Sequence, residues 1–196
     1  DISDRALEWP QVWQHGDTVY LGAIDEAGNA ASVLQSTYFD WGSGVVAGDT
    51  GILWQNRGAA FTTDPQHPNV FAPGKLPFYT LNPGIALRGG KPAFVYGTQG
   101  ADGQPQTLAV LLTHLIDFAA TPEVALAAPR FLLGRTFSDS RDSLKVEAQI
   151  GAEAIADLTS RGHEISPIPA LSPLAGQAGV VLLGSGGAFG YHDKRN

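Results

Sequence analysis

A threonine follows a small-acidic pair in Gly16-Asp17-Thr18 and opens the apolar run Val19-Tyr20-Leu21-Gly22-Ala23-Ile24. A threonine hydroxyl is a weak nucleophile until a base stands beside it. An N-terminal threonine brings its own base, because an α-amino group titrates near ~7.7–8. Inside an intact chain Thr18 has no such amine. Cutting the Asp17–Thr18 bond would create one, so this bond reads as a cleavage site. Thr18 then becomes the nucleophile and, through its freed amine, the base. The plainer alternative is an ordinary first strand residue, a position threonine favours.

The element that must carry Thr18 is a β-hairpin. Its first strand starts at Thr18, the turn is Glu26-Ala27-Gly28-Asn29, and a second apolar-polar run covers Ala30 to Ser36. A Gly-bracketed aromatic loop, Tyr38 to Gly44, comes next, followed by a strand expected near Gly51–Asn56. Phe61 to Pro77 is proline-rich without apolar periodicity, a long structured loop. Gly84–Arg88, Gly89-Gly90 and Lys91–Tyr96 form a second hairpin signature. After Gly100-Ala101, Pro105 opens a helical pattern with Leu108, Leu111, Leu112, Leu115, Ile116 and Ala119 on one face. A short helix starts at Thr121-Pro122, Ser143–Gln149 alternates as a strand, and Ala152–Arg161 is a helix ended by Gly162. Gly179–Leu183 and Ala188–Tyr191 make a last hairpin. Hairpins at both ends with helices between them predict an α+β fold, antiparallel sheet with helices packed against it.

The 196 residues suffice for one domain with a sizeable core, and 43% of them are hydrophobic. With 24 glycines and 13 prolines the chain reads as loop-rich and strand-rich. A net charge of −7 with scattered Lys and Arg argues against a nucleic-acid interface, which needs a basic stripe. Cysteine is absent, which excludes disulfides and thiolate chemistry. His15, His67, His114, His163 and His192 lack ligand spacing, so no metal and no cofactor are expected. No apolar run approaches the ~18 residues of a membrane helix, and no signal-peptide pattern is visible. The compartment stays open, with the cytoplasm the first expectation. A chain opening on Asp1-Ile2-Ser3 is expected to be a fragment or a processed product, and its first 16 residues read as an extended arm.

From about Thr18 to the C-terminus the sequence resembles the small-subunit half of the γ-glutamyltransferase family of N-terminal-nucleophile amidohydrolases. The residues that carry the resemblance are Gly16-Asp17-Thr18, Asp25 with Gly28-Asn29-Ala30, Phe39 with Gly42-Ser43-Gly44, Gly51-Ile52-Leu53 with Asn56, Pro77 through Pro83, Gly97 with Gly100, and Ala128-Pro129-Arg130. The closing His192-Asp193-Lys194-Arg195 looks like a variant of the family's Asp-Pro-Arg ending. The resemblance implies a four-layer α-β-β-α sandwich and a precursor that cuts itself before the threonine. Residues 1–17 are then the tail of the large subunit and 18–196 the small catalytic subunit. A large-subunit chain from the same precursor is the implied partner, a small amide the implied substrate, and a higher oligomer is left open. Ser36 matches a family hydroxyl near the nucleophile's amine, with a plain polar strand residue as the alternative. Gly100 and Ala101 match the Gly-Gly pair whose N–H groups hold an oxyanion, with a tight strand-to-helix turn as the alternative.

Departures from the family pattern bear on substrate. Ala60 stands where an aspartate pairs with a γ-glutamyl ammonium, and Arg57 stands in the adjacent amide position. Tyr38 replaces an asparagine, and Tyr79-Thr80 replaces a serine pair. Without a carboxylate, an ammonium is costly to bury. Arg57 suits a carboxylate or a carbonyl instead, unless it pairs with an acid such as Asp40 or lies on the surface. Tyr38 and Tyr79 would narrow the pocket or simply pack in the core. The pattern from Gly100 to Gln106 looks like the acylase and oxamate-amidohydrolase branch, the latter belonging to purine breakdown. The expected reaction is hydrolysis of a small carboxylate-bearing amide, oxamate to oxalate and ammonia first. A γ-glutamyl hydrolase or transferase, a cephalosporin-type acylase, and an uncleaved non-catalytic paralogue are the alternatives.

Overall fold

The computed structural model describes residues 18–136 and 139–195. Asp17 and the arm before it lie outside the described residues. Strands β1 (Thr18–Ile24) and β2 (Ala30–Ser36) pair antiparallel, with Thr18 opposite Ser36 and Ile24 opposite Ala30. The turn fixes this register. The Asp25 carboxylate accepts both the Asn29 backbone N–H and its side-chain amide, each at 2.8 Å. Residues alternate along both strands, so Thr18, Tyr20 and Gly22 turn inward while Val19, Leu21 and Val33 face out.

The hairpin lies across a four-stranded sheet of order β3-β4-β8-β9, made of β3 (Gly84–Arg88), β4 (Lys91–Thr98), β8 (Ala178–Gly184) and β9 (Gly187–His192). The other face of that sheet is covered by helices α1 (Gln104–Leu112) and α2 (Pro122–Ala127). Leu108 and Leu111 of α1, Ala125 and Leu126 of α2, and Ala178 and Val180 of β8 form the buried core there. Period-2 alternation leaves Val95, Gly97 and Gly179 on the hairpin side. This chain thus builds three stacked layers, hairpin on sheet on helices.

A third sheet orders β5 (Phe131–Thr136), β6 (Asp139–Glu147) and β7 (Ile165–Ile168). Helix α3 (Ala152–Ser160) crosses over between β6 and β7, which therefore run parallel rather than antiparallel. Its strands β5 and β7 had no expectation in the sequence.

Two expected elements differ. Gly51–Asn56 is not a regular strand. Val46 and Leu53 make an isolated bridge, and positive φ at Gly48 (57°) and Gly51 (73°) curls the chain between them. The apolar face drawn from Leu108 to Ala119 also breaks. At Thr113–Asp117 the helix widens into a π turn, which rotates later residues off the stripe and leaves Ile116 58% exposed.

Four charged side chains are fully buried where α2, β5, β6 and the C-terminal segment meet. Arg195 grips Glu147 through Nε (2.8 Å) and Nη2 (2.6 Å) and reaches Asp193 through Nη1 (3.0 Å). Arg130 pairs with Asp193 at 2.5 Å. Backbone carbonyls of Leu126, Ala128, Ala175 and Gly176 take the remaining guanidinium donors except Arg130 Nε.

Candidate active site

Thr18 heads β1, and its Oγ1 donates a 2.8 Å hydrogen bond to Ser36 Oγ. Ser36 Oγ also accepts the Tyr38 backbone N–H at 3.0 Å. Both its lone pairs are thereby used, and its own proton remains to be donated.

Tyr38 follows with φ +80°, a backbone conformation that non-glycine residues rarely adopt. Asn56 holds the loop in this shape. Its Oδ1 accepts the Phe39 N–H, and its Nδ2 donates to the carbonyls of Phe39 and Gly42. The strained turn lays the Tyr38 ring on Arg57, whose Cζ sits 4.0 Å from the ring centroid. Tyr79 flanks the guanidinium at 5.3 Å.

Arg57 opens a 3-10 turn, Arg57–Ala60, and is only 4% exposed. Its Nε donates to the Phe78 carbonyl. Among the described residues no carboxylate pairs with it, so the expected alternative partner Asp40 does not neutralise it. Burial and the nearby Asp102 carboxylate push the Tyr38 phenol above its ordinary range, against the pull of Arg57.

Ser36, Tyr38, Arg57 and Tyr79 line one cleft of about 50 Å³, completed by Gln55 and Leu81. Gln55 and Leu81 carried no expectation, although Gln55 adjoins the Asn56-Arg57 pair and its Oε1 accepts the Arg57 backbone N–H. Thr80 is not in the lining. It is buried, and its carbonyl accepts the Asn82 amide.

Gly100 and Ala101 turn from β4 into α1. Ala101 has φ +46° and Gly100 φ +129°. Among the described residues neither backbone N–H meets a protein acceptor. Gly176 backs the turn, 3.4 Å from where a Gly100 Cβ would stand, and Arg130 holds the Gly176 carbonyl at 3.0 Å. Gly22 of β1 lies over Val95 of β4 and Tyr20 over Gly97, so β1 read backwards toward Thr18 runs in the direction of the end of β4 that leads into this turn. Among the described residues no group of three His, Cys, Asp or Glu side chains gathers as a metal site.

Comparison with known proteins gives the family and the fold. The gamma-glutamyltranspeptidase family model matches residues 2–196. An oxamate amidohydrolase proenzyme of Klebsiella pneumoniae is 48% identical over 167 residues, 85% of this chain and 32% of that protein. A glutathione hydrolase-like YwrD proenzyme of Bacillus subtilis is 44% identical over 165 residues, 84% of this chain and 31% of that protein. The crystal structure of cephalosporin acylase from Bacillus halodurans superposes with a TM-score of 0.79 at 30% identity, covering 99% of this chain and 36% of that one. The chain thus spans about a third of the length of the curated relatives it matches. Its hairpin, sheet and helix layers belong to the α-β-β-α fold of N-terminal-nucleophile hydrolases. With its family match running from residue 2 to residue 196, this chain is a member of the gamma-glutamyltranspeptidase family.

Proposed function

We propose that this chain is the catalytic small-subunit region of a self-cleaving threonine amidohydrolase for small carboxylate-bearing amides, oxamate first among them. In the precursor, Thr18 Oγ attacks the Asp17 carbonyl, the C–N bond breaks, and water hydrolyses the resulting ester. Thr18 then owns a free amine. In turnover that amine takes the hydroxyl proton as Oγ bonds to the amide carbon. The Gly100 and Ala101 N–H groups receive the developing oxyanion. The C–N bond breaks, the proton leaves with ammonia, and water releases the acid from the acyl-enzyme. Ser36, within hydrogen-bond reach of Thr18, orients the nucleophile.

One observation carries the substrate reading: Arg57 is buried, stacked on Tyr38 and unpaired with any described carboxylate, in the cleft that Ser36 lines. A buried guanidinium without a counter-ion calls for an anion, and its planar fork matches a carboxylate. Among the described residues the lining holds no acid for a γ-glutamyl ammonium. The Klebsiella relative's name, oxamate amidohydrolase, points the same way. The outward apolar residues Val19, Leu21 and Val33 suit coverage by the large-subunit segment of the same precursor.

Purified full-length precursor tests both parts. Intact mass should show a fragment beginning at Thr18, absent in Thr18→Ala. The processed enzyme should release ammonia from oxamate. A precursor that never cleaves would return the chain to the non-catalytic class. Efficient turnover of a γ-glutamyl anilide with none of oxamate would overturn the substrate and leave the chemistry.

A further inference from the structure

Tyr20 sits two residues after Thr18 on the same inward face of β1, about 7 Å along the strand. Its ring rests on bare backbone. Gly97 and Gly179 are register partners in β4 and β8, and they lie directly beneath it. A Cβ built on Gly97 would run into the ring, and one on Gly179 would stand 2.7 Å from it. A Cβ on Gly22 would stand 2.5 Å from the Tyr20 hydroxyl oxygen. Three glycines thus form a slot that one aromatic ring fills, at the level where the hairpin crosses the sheet. Burial pushes the Tyr20 phenol above its ordinary value, against the downward pull of Ser32, the polar side chain near the ring. The hydroxyl is buried without a partner among the described residues, and the neighbouring Ser32 hydroxyl donates instead to the Tyr96 carbonyl at 3.0 Å.

We infer that Tyr20 is a positioning residue: its ring, seated in the glycine slot, sets the height of the hairpin over the sheet and so the gap between the Thr18 hydroxyl and the Gly100-Ala101 turn. The strand is a stiff lever. Any change in ring thickness or in the slot floor lifts or drops Thr18 against a turn that Gly176 and Arg130 hold from behind. A displacement of about 1 Å at reacting groups costs on the order of 100-fold in rate. The inference rests on Thr18 as the nucleophile.

Self-cleavage of the full-length precursor, followed by intact mass, needs no knowledge of the substrate and is the primary readout. Tyr20→Phe keeps the ring and should cleave at the parent rate. Tyr20→Ala and the milder Tyr20→Leu should cleave on the order of 100-fold more slowly. After processing, they should lower kcat on oxamate by a larger factor than they raise KM, because Arg57 itself is carried by the 3-10 turn outside the hairpin. Gly97→Ala should slow cleavage similarly, and combining it with Tyr20→Leu should cost less than the sum, since both act on one spacing. Cleavage of folded Tyr20→Leu within threefold of the parent, or strict additivity with Gly97→Ala, overturns the inference. Should Tyr20→Phe slow as much as Tyr20→Leu, the hydroxyl and not the spacing matters, and the inference also falls. Thr18→Ala run alongside separates the two ideas: if it still cleaves at Asp17–Thr18, the nucleophile reading fails whatever Tyr20 does.

Discussion

The Thr18 hydroxyl donates to the Ser36 hydroxyl at 2.8 Å across the open end of the β1–β2 hairpin, where the two residues are register partners. Ser36 Oγ has no further acceptor capacity once it also takes the Tyr38 N–H. Its oxygen therefore links the nucleophile to the strained loop that carries Tyr38 onto Arg57. Ser36→Ala removes both acceptors at once. Precursor cleavage and kcat should fall about 10- to 100-fold, with Ser36→Thr retaining most of each. Rates within threefold of the parent for Ser36→Ala would show that the contact is incidental.

Ala101 offers a cleaner test of the turn. At φ +46° its side chain strains the backbone by about 1 kcal/mol relative to glycine. Ala101→Gly keeps the N–H while relieving that strain, so stability should rise by about 1 kcal/mol with activity preserved. Ala101→Val, β-branched at a positive φ, should lose more than that and lower kcat. Denaturant midpoints, read with kcat for each variant, separate strain from chemistry.

What the sequence could disclose follows from the range of the interactions. The first hairpin was legible because its turn is local: Asp25 and Asn29 are four residues apart, and they set the register that pairs Thr18 with Ser36. Arg57 could be flagged from its place beside Asn56, but whether it met Asp40 or a ligand depended on a fold no local pattern encodes. The glycine slot under Tyr20 was invisible, since Gly97 and Gly179 become neighbours only when β4 pairs with β8. Strand β7 is four residues long and contains Pro167, so propensity argued against it. The π turn at Thr113 broke a stripe that ideal 3.6-residue periodicity would have continued.

The buried charges make a stability prediction independent of the active site. Glu147 accepts from Arg195 Nε and Nη2, from the Arg130 backbone N–H at 2.9 Å and from the Ser172 backbone N–H at 2.8 Å. Glu147→Gln replaces one acceptor oxygen by an amide that faces these donors, and it leaves the guanidinium underpaired. Breaking one side of a buried pair costs about 3–5 kcal/mol. Chemical denaturation of the processed protein should show that loss, and a loss below 1 kcal/mol would mean the network is dispensable.

Arg57 decides the substrate question, and the charge-conserving variant decides it best. Lysine keeps a positive charge but not the planar fork or the stacking on Tyr38. If Arg57 holds a carboxylate, Arg57→Lys should raise KM for oxamate by about 10- to 100-fold, consistent with charge-assisted hydrogen bonds of about 1.5–3 kcal/mol. A neutral amide of the same size should lose far less. The phenol of Tyr38 adds a pH signature. Burial raises it above its ordinary value near 10, so it stays uncharged and cannot compete for the guanidinium at lower pH. The ratio of KM for oxamate between the parent and Tyr38→Phe should therefore stay flat from pH 7 to pH 10, because the Thr18 amine titrates alike in both. A rise in that ratio within the window would mean the phenol ionises there, and the cleft would then be far wetter than its geometry states.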